Sequence, residues 1–131
     1  MTDKNSRADL KIVIVDDSDF SRSLIQQMLK EEGFDVVGEA SGAEEALQII
    51  KAKKPNVVIT DIVMPKISGI ELTEKINQGQ EDIAVIVVSS LSQEHIVLEA
   101  IGAGARDFIA KPIQKIQLVD SLEKILMELK T

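Results

Sequence analysis

Five short apolar runs alternate along the chain with longer segments in which apolar residues recur every three or four positions. The short runs are rich in Val and Ile and lack polar alternation, a pattern typical of strands that are covered on both faces. The longer segments have the spacing of helices with one apolar stripe. The predicted strands centre on residues 12–15, 36–37, 57–59, 85–88 and 108–109.

Regular alternation of strands and helices predicts an α/β fold, because right-handed crossovers join parallel strands and place helices on both faces of the sheet. The expected architecture is a three-layer α/β/α, doubly wound, five-stranded parallel sheet with strand order 2-1-3-4-5. Ligands of such sheets bind at the carboxyl ends of the strands, near the reversal of order between strands one and three.

Local signals predict where several helices begin and end. Ser41 and Glu44 have capping-box spacing, and Gly33 and Gly102 stand where helices commonly stop. Pro112 separates the fifth strand from the last helical segment.

A chain of 131 residues has room for one domain. Residues 1–9 are polar and predict a flexible N-terminal tail, and residues 10–131 are expected to form the domain. The tail has no apolar stretch of the kind found in signal peptides, so we expect a cytoplasmic protein without membrane insertion. The chain has no Cys, which excludes disulfides and thiolate metal sites.

The charge balance argues against direct nucleic-acid binding. The net charge is −7, from 22 acidic and 15 basic residues, and it repels a phosphate backbone. The only aromatic residues are three Phe, too few for a base-stacking surface.

Acidic residues follow two strands that the predicted order makes neighbours. Asp16 and Asp17 follow the first apolar run directly, and Asp61 follows the third after Thr60. Two unit charges about 4 Å apart repel by roughly 4 kcal/mol at an effective dielectric constant of 20, so a cation is expected to neutralise the cluster. Oxygen ligands without a thiolate favour Mg²⁺.

Two further strand ends carry polar groups. Lys111 follows the fifth run, and its long stem can reach across the carboxyl edge toward Asp61. Ser89 and Ser90 follow the fourth run and offer hydroxyl groups. A carboxylate nucleophile with positive charge and a hydroxyl around it suits phosphoryl transfer, which depends on positioning and charge neutralisation.

With these residues in view, the chain resembles the receiver domains of bacterial response regulators over residues 11–129. The motifs that carry the resemblance are Asp16-Asp17, Asp61 with Met64-Pro65 and Gly69, Ser89, and Lys111-Pro112. The family's fold is flavodoxin-like, of the CheY type.

The resemblance implies specific roles at the site. Asp61 is the phospho-acceptor, and Mg²⁺ binds Asp17, Asp61 and the backbone carbonyl of Val63, with Asp16 acting through water. Lys111 pairs with the acyl phosphate, and the Lys111–Pro112 peptide bond is cis.

Further roles concern switching. Ser89 turns toward the phosphoryl group while Phe108 moves inward, which switches a face made of the fourth helix, fifth strand and fifth helix. Val63, Ser90 and Leu91 flank the phosphoryl group. Phe108 replaces the Tyr of the best-known chemotaxis regulator, so a hydroxyl contact with a partner is lost.

The resemblance also implies the biological context. The chain is expected to be a non-enzymatic signalling protein that accepts its phosphoryl group from the phosphohistidine domain of a histidine kinase. Residues 91–112 are similar to chemotaxis regulators, so a messenger to the flagellar motor switch is favoured. A monomer is expected, with dimer formation on phosphorylation left open.

Alternatives remain at this stage. The chain could be a phosphorelay intermediate, or a stand-alone receiver that regulates another protein. A more remote alternative is a haloacid-dehalogenase-like phosphatase with Asp17 as its nucleophile, because Asp17-Ser18-Asp19 resembles that family's first motif.

Overall fold

The computed structural model describes residues 7–79 and 82–129, which form a parallel sheet with helices on both faces. The strands are β1 (Lys11–Val15), β2 (Asp35–Ala40), β3 (Val57–Thr60), β4 (Ala84–Ser89) and β5 (Asp107–Ala110). The helices are α1 (Asp19–Glu31), α2 (Ala43–Lys53), α3 (Gly69–Gln78), α4 (Glu94–Gly102) and α5 (Lys115–Leu129).

The predicted fold and strand order are confirmed. The sheet has order β2-β1-β3-β4-β5, and all four neighbouring pairs are parallel. Val15 at the end of β1 pairs with Thr60 at the end of β3. The carboxyl ends of the strands therefore meet at one edge of the sheet.

Two apolar clusters lie on opposite faces of the sheet. Helices α1 and α5 pack on one face through residues such as Leu29 and Leu122, and helices α2, α3 and α4 pack on the other through Ala46, Leu72 and Ala100. The strands β3 and β4 are buried along their whole length, and β1 is buried after Lys11.

The expectation that every strand is covered on both faces is wrong for the two edge strands. Only Ala40 is buried in β2, and only Ile109 is buried in β5. Each edge strand has one sheet neighbour, so solvent reaches its outer side.

The predicted helix ends are partly confirmed. Gly33 follows α1 and has a φ of 80°, which is typical of a residue that ends a helix. Gly102 is the last residue of α4, but the residue with a positive φ after this helix is Gly104 (φ 111°). The Ser41–Glu44 capping box is wrong, because Gly42 is the N-cap of α2. The carboxylate of Glu45 instead accepts hydrogen bonds from the Ser41 backbone N–H (2.8 Å) and hydroxyl (3.3 Å).

Part of the predicted N-terminal tail is packed against the domain. Arg7 is only 9% exposed, and its guanidinium donates hydrogen bonds to Glu123 in α5 and to Glu32 after α1. It also lies over the ring of Phe34. Residues 1–6 lie outside the described part of the chain. Among the helices formed by residues 7–79 and 82–129, none combines the length and apolarity needed to cross a lipid bilayer.

Candidate functional site

Backbone hydrogen bonds between neighbouring strand ends fix three of the charged residues at the carboxyl edge. The N–H of Asp16 donates to the carbonyl of Ala40, and the N–H of Asp61 donates to the carbonyl of Val15 (2.9 Å). The N–H of Lys111 donates to the carbonyl of Ser89, also at 2.9 Å. Each of these residues therefore directly follows a strand, and a hydrogen bond to the neighbouring strand sets its position.

Asp16, Asp17 and Asp61 form the predicted acidic cluster. One carboxylate oxygen from each residue lies within 4.8 Å of the others. Asp16 is almost fully buried, Asp61 is half-buried, and Asp17 is exposed. The prediction that these carboxylates lie together is correct, because β1 and β3 are adjacent and end at the same level.

Lys111 follows the edge strand β5 and reaches this cluster across the end of β4. Its ammonium group donates to Asp16 Oδ2 at 3.0 Å and to Asp61 Oδ2 at 3.2 Å. Burial disfavours the charged ammonium, but the hydrogen bond with Asp16 and the negative charge of Asp61 raise the pKa of Lys111 above its ordinary value. The Lys111–Pro112 peptide bond is cis, as the resemblance implies.

The remaining oxygens of the two inner carboxylates accept backbone hydrogen bonds. Asp16 Oδ1 accepts from the N–H of Ser18 (2.9 Å), and Asp61 Oδ1 accepts from the N–H of Ile62 (2.7 Å). Each carboxylate oxygen has two lone pairs, so both residues keep the capacity to bind a cation. The donor set consists of hard oxygen ligands, with Asp17 exposed to solvent, which fits Mg²⁺ better than a softer metal.

Gly69 packs directly against the backbone of Asp61. A Cβ atom at this position would lie 1.8 Å from the carbonyl oxygen of Asp61 and 2.9 Å from the Cα of Ile62. The N–H of Gly69 also donates to the carbonyl of Ile62 at 2.8 Å. A residue without a side chain is therefore required where the start of α3 meets the loop after Asp61.

The other predicted site residues lie around this centre. Ser89 is fully buried, and its hydroxyl accepts a hydrogen bond from the N–H of Leu91 at 3.0 Å. Ser90 and Leu91 are exposed in the loop after β4, and Val63 is exposed in the loop after β3. Phe108 in β5 is half-buried and packs against the cluster formed with α2, α3 and α4. The switching and flanking roles of these residues stay predictions.

Ser21 belongs to the site but was not predicted. Its hydroxyl accepts a hydrogen bond from the ammonium of Lys111 at 3.4 Å, from the first turn of α1. A sequence signal exists, because the first turn of a helix that follows β1 must lie above the carboxyl edge. Ser18, the N-cap of α1, is placed there for the same reason.

The comparisons with known proteins agree with this geometry. The family model described as "Response regulator receiver domain" matches residues 12–123. The chain belongs to the response regulator receiver domain family. Receivers are signalling domains, and the motifs that carry the resemblance, from Asp16 to Pro112, all lie within the matched range.

Several relatives are chemotaxis proteins. This receiver is 38% identical to the chemotaxis protein CheY of Thermotoga maritima over 115 residues, which cover 88% of this chain and 96% of the relative. It is also 38% identical to the chemotaxis protein CheY of Bacillus subtilis, with 88% and 97% of the two chains covered.

Solved receiver structures have the same fold. A CheX–CheY–BeF3–Mg+2 complex from Borrelia burgdorferi matches with a TM-score of 0.84 and 30% identity, covering 88% of each chain. The response regulator domain of Thermotoga maritima CheB matches with a TM-score of 0.82 and 32% identity, covering 89% of this chain and 96% of that one.

Proposed function

We propose that this receiver accepts a phosphoryl group on Asp61 from the phosphohistidine domain of a histidine kinase, in the presence of Mg²⁺. The observation that carries the proposal is the juxtaposition of three carboxylates within 4.8 Å with an ammonium group 3.2 Å from Asp61. A lone acidic cluster is electrostatically unfavourable, and this one is neutralised only in part by Lys111. The family match supports the same role.

The chemistry is a single displacement at phosphorus. A carboxylate oxygen of Asp61 forms a bond to the phosphorus atom while the bond from phosphorus to the histidine nitrogen breaks, which leaves an aspartyl phosphate and a neutral histidine after proton uptake. Lys111, which already contacts Asp61, provides positive charge beside the oxygens of the transferred group.

Asp17 and Asp61, with the backbone carbonyl of Val63, are the residues proposed to hold Mg²⁺, and Asp16 is proposed to act through water. Bound Mg²⁺ supplies positive charge to the phosphoryl oxygens. The B. burgdorferi CheY complex, which contains Mg+2, supports this choice of metal for a receiver of the same fold.

The direct test is phosphorylation by a small phosphodonor such as acetyl phosphate, with and without Mg²⁺, followed by intact-mass and peptide mass spectrometry. We expect one phosphoryl group on Asp61 and none in Asp61→Asn. Asp120→Asn, which removes an exposed carboxylate from α5, is the matched control and should be labelled like the native chain. Labelling of Asp17 instead would support the phosphatase alternative, and an unmodified native chain would refute both.

Phosphorylation is proposed to switch the surface made of α4, β5 and α5. β5 is an edge strand, and exposed Leu98 and Ile101 on α4 give this surface apolar contacts for a target. The proposed trigger is rotation of the Ser89 hydroxyl, now bonded to the N–H of Leu91, toward the phosphoryl group, with Phe108 moving into the space it leaves. Phosphorylation-dependent chemical shift changes at Phe108 and along α4 would support it.

The exposed apolar side chains of Val63 and Leu91 are proposed to hinder attack by water on the phosphoryl group. Val63→Asn and Leu91→Glu should therefore lose the phosphoryl group faster than the native chain. Loss of label can be followed after the donor is removed, and unchanged or slower loss in both variants would contradict this role.

For the pathway, we propose a cytoplasmic messenger from a chemotaxis kinase to the flagellar motor switch. The similarity to two CheY proteins favours this over a phosphorelay intermediate or a stand-alone regulator of another protein. The phosphorylated chain should bind a peptide from the flagellar switch more tightly than the unphosphorylated chain. Transfer of the phosphoryl group to a histidine phosphotransfer domain, without peptide binding, would identify a relay.

A further inference from the structure

The side chain of Arg22 connects three elements beside the acidic cluster. From the second turn of α1, Nη1 donates to the backbone carbonyl of Asp16 at 2.6 Å. Nε donates to Glu39 of β2 at 3.3 Å, and Nη2 donates to Asp19 at the start of α1. The Arg22 side chain is 17% exposed, although the side chain of its partner Asp19 is 91% exposed.

The carbonyl that Arg22 binds belongs to the peptide group between Asp16 and Asp17. The N–H of Asp16 is fixed by Ala40 of β2, and its carboxylate accepts from the N–H of Ser18. Lys111 also donates to this carboxylate, and Arg22 adds a restraint on the peptide group that leads to the exposed Asp17. Bonds from a charged donor are shorter and roughly twice as strong as neutral ones.

A guanidinium group suits this position better than an ammonium group. It presents several N–H groups in one rigid plane, so a single side chain can reach the Asp16 carbonyl and two carboxylates at once. Glu39 accepts from Nε and Asp19 accepts from Nη2, while Nη1 is left for the Asp16 carbonyl. The two bonds raise the pKa of Arg22 above its ordinary value, with the hydrogen bond to Asp19 as the largest cause, so the group stays charged.

We propose that Arg22 is a positioning residue for the metal site, which holds the Asp16–Asp17 peptide so that the carboxylate of Asp17 faces that of Asp61. This inference rests on the proposed Mg²⁺-dependent function. On this proposal Arg22 strengthens Mg²⁺ binding, whereas its positive charge alone would weaken it.

The direction of the change in Mg²⁺ affinity distinguishes a positioning role of Arg22 from an effect of its charge. A positive charge beside the cluster repels a cation, so its removal alone would strengthen Mg²⁺ binding. Loss of the restraint on Asp17 would weaken Mg²⁺ binding, because groups that orient metal ligands typically contribute about 10-fold or more to affinity. A weaker affinity in a more negative site therefore identifies positioning.

The experiment compares Mg²⁺ dissociation constants, by calorimetry, for the native chain, Arg22→Gln and Arg22→Lys. The control Arg106→Gln removes the same charge from the exposed Arg106–Glu128 ion pair. We expect Kd to rise about 10-fold in Arg22→Gln, less in Arg22→Lys, and to stay within about twofold in the control. Circular dichroism melting shows that each chain is folded at the assay temperature, and Arg22→Lys serves if Arg22→Gln is not.

Labelling by acetyl phosphate gives the second readout. The Mg²⁺ concentration for half-maximal rate should rise in Arg22→Gln, while the rate at saturating Mg²⁺ stays near that of the native chain. Mg²⁺ binding by folded Arg22 variants that is as tight as native, or tighter, would overturn the inference and leave the proposed function intact. A native chain that neither binds Mg²⁺ nor accepts a phosphoryl group would overturn both.

Discussion

Replacement of Lys111 by Met tests how the fold tolerates the acidic cluster. Lys111 contacts Asp16 and Asp61, whose side chains are only 2% and 13% exposed. Met keeps an unbranched stem of similar length and removes the charge. The variant therefore retains two shielded carboxylates and loses the ammonium group that neutralises them.

The magnitude follows from the distances. At an effective dielectric constant of 20, contacts of 3.0 Å and 3.2 Å are each worth roughly 5 kcal/mol of Coulomb attraction. Burial of the ammonium group opposes this by several kcal/mol. We expect Lys111→Met to lower the free energy of unfolding by about 3 kcal/mol without Mg²⁺.

Urea denaturation followed by far-ultraviolet circular dichroism measures this, because the chain has no Trp or Tyr for fluorescence. The matched control is Lys124→Met, an exposed lysine of α5, which should change stability by less than about 0.5 kcal/mol. Added Mg²⁺ should restore more stability to the variant than to the native chain, because the metal replaces the missing charge. A loss no larger than that of the control would refute the electrostatic reasoning.

Three further predictions concern the same site. Without Mg²⁺, Asp17→Asn should raise the free energy of unfolding by about 0.5–1 kcal/mol, because it removes one of three like charges within 4.8 Å, and Mg²⁺ should no longer stabilise the variant in the same urea titration. Gly69→Ala should lower stability by about 2 kcal/mol and slow labelling of Asp61, since its Cβ would lie 1.8 Å from the Asp61 carbonyl oxygen, whereas Gly102→Ala, with nothing within 4 Å, should not. The raised pKa of Lys111 means that its stabilisation is present below the ordinary value of 10.5 and is lost as pH rises through the folded-state pKa. The stability difference between native chain and Lys111→Met should therefore be constant from pH 7 to about pH 10 and shrink above it; a difference that shrinks at neutral pH would contradict this.

The fold and the centre of the site could be predicted because both depend on strand ends. Runs of β-branched residues mark the strands, and right-handed crossovers leave few ways to arrange them. Once β1 and β3 are neighbours, residues that directly follow them must meet. The strand order alone therefore predicts that Asp16, Asp17 and Asp61 lie together. The length of its side chain is enough to predict that Lys111 reaches them.

Contacts made by helices could not be predicted in the same way. Whether Ser21 or Arg22 reaches the site depends on how α1 is rotated over the sheet, and the apolar stripe fixes that rotation only to within a residue or so. For the same reason, Glu44 was predicted as the partner of Ser41, whereas the structure has Glu45. The packing of Arg7 against the domain could not be predicted, because its partners Glu32 and Glu123 are far away in sequence. The partial exposure of β2 and β5, in contrast, follows from the predicted strand order.

The arrangement at the carboxyl edge implies a competition for the same oxygen atoms. Lys111 binds Oδ2 of both Asp16 and Asp61, so a divalent cation that approaches these carboxylates meets an ammonium group already in place. Like charges repel, and the flexible stem of Lys111 can move whereas the strand ends cannot. In the proposed function, a cation held by the exposed Asp17 would weaken the contact of Lys111 with Asp61, and the lysine would then be available to a phosphoryl group at the same carboxylate. The ammonium group that neutralises Asp16 and Asp61 would thus be the one that stabilises a phosphoryl group on Asp61.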